Sequence, residues 1–139
     1  MTAFYWALIT AGIWGVVPLL EKLGLGNGSP SYGVMVRSLG VALGLILFGW
    51  WWSPVAALRS MSWQSIVLLA SGGLLASFVG QMAFYHALKT GAVSQVTPVA
   101  GAYPLVAALL GWIFLREPIT LARLLGVLLI ISGVWLLRK

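Results

Sequence analysis

A chain of 139 residues that is 61% hydrophobic, 7% charged and of mean hydropathy +1.04 has far too little polar surface for a soluble domain and reads as a membrane protein. Its net charge of +6 would suggest nucleic acid in a soluble protein, but the basic residues stand at the ends of apolar runs, where they anchor helices at lipid headgroups, so no nucleic-acid partner is expected. The absence of cysteine excludes disulfides, thiolate metal sites and cysteine nucleophiles.

Five apolar stretches can be read along the chain, around 3–20, 33–52, 64–86, 94–115 and 119–137. Each approaches the roughly 20 residues that a helix needs to cross the hydrocarbon core. Backbone amides in lipid must be paired within a helix or a closed barrel, and these runs lack the period-2 alternation of barrel strands. The expected fold class is therefore all-α, a polytopic membrane protein of five transmembrane helices in one domain over 1–139. The first run has no basic flank before it and is followed by Glu21-Lys22 instead of a small-residue cleavage site, so it is read as a retained span.

The first span carries Trp14 and ends on Lys22, and the cluster from Gly24 to Pro30 follows as a turn. The second carries Arg37 near its start, with Gly40 and Gly44 in a GxxxG pattern that lets another helix approach. Two readings of Arg37 stand side by side: it snorkels to the headgroups, or it faces the bundle interior and attracts an anionic group. Trp50, Trp51 and Trp52 close this span and Trp63 opens the third, as an aromatic belt does; Ser53-Pro54 begins a loop carrying Arg59.

Span three places Ser77, Gln81 and Tyr85 at i, i+4 and i+8, with Gly73 extending that face. An amide and a phenol facing lipid would lack partners, so the stripe should line a wet cavity or form interhelical hydrogen bonds. His86, at the end of this span, is either an interfacial residue or a proton relay. Span four holds Pro98 and Pro104, which remove backbone donors and predict a kinked or broken helix, with Tyr103 beside the break. Span five holds Gly126 and Gly133, seven residues apart and so nearly on one face, a candidate dimer seam.

Basic residues set orientation only weakly. One face collects Lys22, Lys89, Arg138 and Lys139, and Arg37 if it is counted; the other has Arg59, Arg116 and Arg123 with the terminal amine. An odd helix count and this near-balance point to dual topology: two oppositely oriented copies forming an inverted repeat. General acid–base chemistry has little to work with, since His86, Glu21 and Glu117 all stand near helix ends, and no metal cluster, phosphate loop or nucleophile motif is present. Neither an enzyme nor a cofactor is expected. With no acid recognised inside the bundle, small neutral, zwitterionic or anionic substrates fit better than organic cations.

Several passages carry a family resemblance. The run from His86 to Pro98, HALKTGAVSQVTP, is similar to the passage between the third and fourth helices of EamA-type members of the drug/metabolite transporter superfamily. Leu115-Arg116-Glu117-Pro118-Ile119-Thr120 resembles that family's turn before the last helix, and Gly126 with Gly133-Val134 resembles the last helix itself. Trp14-Gly15, Lys22 and Arg37 also match the pattern. EamA transporters usually carry two five-helix repeats, so the resemblance implies one half of a ten-helix inverted-repeat transporter, working as an antiparallel homodimer, or as a heterodimer with a paralogue, in a prokaryotic inner (plasma) membrane. It also implies a central cavity lined by the first four helices, with Trp14, Arg37, Ser77, Gln81, Tyr85 and Tyr103 as candidate substrate-binding residues.

The run from Gly126 to Val134 is similar to the last-helix dimerisation motif of small multidrug resistance proteins too, departing at Val127. Those proteins have four helices and a mid-membrane glutamate in the first. Here the corresponding stretch holds Trp14 and no acid, which weakens a reading as a proton-coupled exporter of lipophilic cations. A membrane subunit that packs against a larger partner without transporting is the remaining alternative.

Overall fold

The computed structural model describes residues 3–52 and 60–137, the side chains of Trp50 to Trp52 excepted. The loop residues Ser53, Pro54 and Arg59 and the terminal pair Arg138 and Lys139 lie outside that description, as do the three tryptophan side chains of the expected aromatic belt. All the regular structure among the described residues is helical, and the chain divides into two compact units, Met1–Thr90 and Gly91–Lys139.

In the first unit, α1 (Ala3–Leu25) and α2 (Pro30–Trp52) are each 23 residues long, about 34 Å at 1.5 Å per residue. Either could cross a bilayer. The turn between them follows from its residues. Gly26 has φ +45°, the left-handed conformation that ends a helix and that glycine takes without steric cost. Ser29 precedes the helix and its Oγ accepts from the Tyr32 amide at 3.4 Å, while Pro30 takes the first helical position, where a missing N–H costs nothing. The first helix thus runs five residues past the expected end at 20, and Glu21 and Lys22 lie within it.

The third span is a continuous helical run from Trp63 to Thr90 made of three pieces: α3 (Trp63–Leu74), a π-helical segment (Leu75–Gly80) and α4 (Gln81–Thr90). Ser62 caps it, its Oγ accepting from the Ser65 amide at 3.1 Å. The wider π turn lies just before Gln81, the first residue of α4.

Helices α1, α2 and α4 meet at one end of this unit. Leu25, Val34, Tyr85 and Leu88 are buried there, Leu88 completely. Away from that end the helices are open: residues 3–16 and 66–80 are exposed throughout. Lipid tails are as apolar as leucine, so burial alone gives little drive for helices to associate in a membrane; close packing and interhelical hydrogen bonds must hold the junction. Gly33 provides the close packing, because a Cβ there would fall 2.6 Å from Cε2 of Tyr85. Lys22 contributes a hydrogen bond from Nζ to the Leu88 carbonyl, one of the last acceptors of α4 that have no partner within the helix.

In the second unit the fourth span, Val93–Leu115, is broken into α5 (Val93–Ala100) and α6 (Tyr103–Leu115). Pro104 cannot donate to the Ala100 carbonyl, so the ladder lapses and Gly101 and Ala102 form a turn in which Gly101 donates to the Thr97 carbonyl at 2.7 Å and Ala102 to that of Val99 at 3.2 Å. Pro98 is accommodated inside α5. Arg116, at φ 53°, ends α6, and the turn to α7 (Leu121–Leu136) is tied by Arg123 Nη1, which reaches Glu117 Oε2 at 3.3 Å and the Pro118 carbonyl at 3.0 Å. Thr120 caps α7, accepting from the Arg123 amide. Gln95 Nε2 donates to the Leu137 carbonyl at 2.9 Å, joining the start of α5 to the end of α7. The last helix is shorter than the expected 119–137 span, 16 residues or about 24 Å, which is less than the roughly 30 Å of a hydrocarbon core.

Candidate functional site

The polar groups of the first unit converge on Glu21. Three features bring it there: continuation of α1 beyond position 20, the close approach of α2 at Gly33, and the i, i+4 spacing that puts Gln81 and Tyr85 on one face of α4. Its Oε1 accepts from Gln81 Nε2 at 2.9 Å and from the Tyr85 hydroxyl at 3.0 Å, and stands 3.4 Å from Nε of Arg37. Three helices are thereby tied through one carboxylate oxygen. The Glu21 side chain is 11% exposed and that of Arg37 35%, so the acid is covered and the guanidinium is the more approachable charge.

Glu21, Arg37 and Tyr85 of this cluster, but not Gln81, line a groove of about 450 Å³ between α1 and α2, with Tyr85 contributed from α4. Glu21, Arg37, Ser29 and the two tyrosines Tyr32 and Tyr85 supply its polar atoms. Val17, Leu20, Leu25 and Val36 make most of the remaining surface apolar, the usual composition of a small-molecule site. No cluster of potential metal ligands occurs among the described residues.

Of the six residues singled out in the sequence, the structure brings Arg37, Gln81 and Tyr85 together. Ser77 falls in the π-helical segment, exposed and apart from the groove lining, and Trp14 is exposed on α1 a turn beyond the lining. Tyr103 belongs to the second unit, where it begins α6 with its ring exposed. Gly126 is exposed and Gly133 half-buried on α7, and a Cβ at either would meet nothing within 4 Å. His86 is exposed on α4.

The residue that sequence reasoning passed over is Glu21, which it placed at a helix end in the absence of any acid within the bundle. The available signal was periodicity: Val17, Leu20, Glu21 and Gly24 follow the i, i+3, i+4, i+7 pattern of one helix face, and all four line the groove.

An ion pair with two further hydrogen-bonded polar groups, inside helices long and apolar enough to cross a membrane, marks this cluster as a candidate functional site. Comparison with known proteins agrees, because the model of the EamA-like transporter family matches residues 1–139. The chain belongs to the EamA-like transporter family. It is similar to an uncharacterized transporter from the cobO 3' region of Sinorhizobium sp, 26% identical over 136 residues that make up 96% of this chain and 94% of that one. It is also similar to an uncharacterized protein of Methanocaldococcus jannaschii, 27% identical over 136 residues, 98% of this chain and 96% of its relative. No solved structure matches the chain. Membership of this family and the apolar helices make the protein an integral membrane transporter.

Proposed function

We propose that two copies of this chain, inserted in opposite orientations, form a ten-helix secondary transporter or facilitator that carries small metabolites through a central cavity. The observation that carries this reading is the Glu21–Arg37–Gln81–Tyr85 cluster, since charged groups within apolar spans are costly and commonly mark the path of a solute. Open glycine faces support the dimer. A Cβ added at Gly12, Gly15, Gly40, Gly44, Gly126 or Gly133 meets nothing within 4 Å, so each could receive a second backbone. The two relatives above are matched over nearly their whole lengths, which agrees with a five-helix unit as the building block. Trp14, Ser77 and Tyr103 join Arg37, Gln81 and Tyr85 in lining the cavity of the assembled pair, and the setting is a prokaryotic inner membrane.

The chain has no native cysteine, so single cysteines report access cleanly. In membranes, cysteines at positions 77, 81 and 85 are expected to react with a small water-soluble thiol reagent while those at 79 and 83 remain protected. In liposomes screened with pooled metabolites, Gln81→Ala should impair uptake more than it lowers dimer stability. Uniform protection along the span, with no solute taken up by the unaltered protein, would leave a dry structural bundle in place of a transporter.

A further inference from the structure

The guanidinium of Arg37 has two faces for a planar anion, the Nε side and the Nη1/Nη2 end. Glu21 engages Nε, and among the described residues no hydrogen bond occupies the Nη end. We propose that this free end is the binding point of the groove and that its ligand is a small organic carboxylate with a short apolar body. The proposal deepens the transporter reading by naming a ligand class, and rests on it for what happens after binding.

Three observations select an anion. First, exposure: Arg37 keeps 35% of its side chain accessible, whereas Glu21 keeps 11% and already has two hydrogen bonds and the Arg37 ion pair at Oε1. The covered acid gives an ammonium little access, while a carboxylate approaching the more exposed guanidinium at its Nη end displaces none of these contacts. Second, charge: Glu21 is flanked by Lys22 in α1 and faces Arg37, so this end of the unit carries an excess of positive charge that an anion neutralises. Electrostatic attraction of that kind strengthens where water is scarce. Third, the walls: Val17, Leu20 and Val36 line the same groove as Arg37, so a ligand whose charged head pairs with the guanidinium rests its body on apolar surface. Glu21 then acts as a positioning residue. It holds the guanidinium by one edge so that the other is presented in a fixed plane, which preserves the geometric advantage of arginine over lysine in pairing with a carboxylate.

Gly24 lines the groove and a Cβ there meets nothing within 4 Å, so Gly24→Cys places a reporter thiol without crowding. The purified Gly24→Cys protein, in phosphatidylcholine nanodiscs, is labelled with N-ethylmaleimide in the presence of hexanoate, hexylammonium, norleucine or hexanol. Hexanoate should slow labelling in a saturable way, and hexylammonium and hexanol should leave the rate unchanged. Adding Arg37→Gln should raise the hexanoate concentration for half-protection by about tenfold or more, as expected for loss of a charge-assisted paired contact. Equal protection by hexylammonium or hexanol would overturn the proposal. So would stronger protection by norleucine than by hexanoate, which would make the ligand a zwitterion. If phosphatidylglycerol nanodiscs slow labelling and hexanoate does nothing in either lipid, the anion is a lipid headgroup and the proposal also falls. The native-background comparison of the four probes decides the matter even if the Arg37 variant fails to fold. Hexanoate protection without any liposome transport would strike the transporter reading alone; transport without protection would strike this ligand class alone.

Discussion

Glu21 and Gly33 make opposite demands on the same junction, one electrostatic and one steric, and each can be tested separately. Glu21→Ala leaves the Gln81 amide, the Tyr85 hydroxyl and the Arg37 guanidinium without their shared acceptor. An orphaned donor in a covered site costs about 1–3 kcal/mol, so this variant should lose a substantial part of its stability in thermal unfolding in nanodiscs. Glu21→Gln keeps a carbonyl oxygen for Gln81 and Tyr85 and loses only the ion pair with the partly exposed Arg37, which solvent screens, so its loss should be the smaller of the two. Equal losses would mean that the ion pair, not the hydrogen bonds, holds the junction. At Gly33 the difficulty is space. A methyl group 2.6 Å from the Tyr85 ring forces the ring from its place on Glu21 or parts the helices, and overpacking of this kind costs typically about 1–3 kcal/mol. Gly33→Ala should therefore lower the unfolding temperature, whereas Gly24→Ala, with nothing near its Cβ, should not.

At the scale of helices, irregularity is placed where the polar chemistry is. The π-helical segment Leu75–Gly80 directly precedes Gln81, and the two-residue break at Gly101–Ala102 directly precedes Tyr103. A span that must pass from lipid-facing leucine to a hydrogen-bonded face has to change its angle of presentation, and a wider turn does this without leaving backbone amides unpaired in the membrane. The last helix has the opposite character: it is regular, short and apolar, and its two glycines leave open notches. If α7 forms the seam between two copies, Gly126→Leu together with Gly133→Leu should convert the solubilised dimer to monomer with membrane insertion intact, since small residues are what allow backbones to approach. Mass measurement in detergent decides this, and an unchanged dimer would move the seam to another glycine face such as that of Gly40 and Gly44.

For the molecule as a whole, the near-balance of basic residues between its two faces predicts insertion both ways up. A reporter fused after Lys139 should give signal on both sides of the membrane, and three lysines added around Arg59 should shift the population to one side. Signal confined to one side for the unaltered chain would rule out dual topology.

Composition and pattern alone were enough for the all-helical membrane class and for several of the breaks, because lipid requires backbone groups to be paired within each segment. That requirement is local, so the prolines of the fourth span, the turn at Arg116–Pro118 and the glycine-rich turn before Pro30 could be read from neighbouring residues. The motifs that resemble the EamA family were legible for the same reason. Arg37, Gln81 and Tyr85 could be nominated as polar residues in apolar runs, but their common partner could not. Glu21 and Tyr85 are 64 positions apart, and their pairing depends on α1 continuing past its apolar stretch and on α2 approaching at Gly33 closely enough to bring Tyr85 against it. Such a contact arises from the crossing of three helices, a property of no single segment. Only the tertiary structure could decide that a carboxylate with the sequence signature of a helix end is the group on which the polar side chains of two other helices converge.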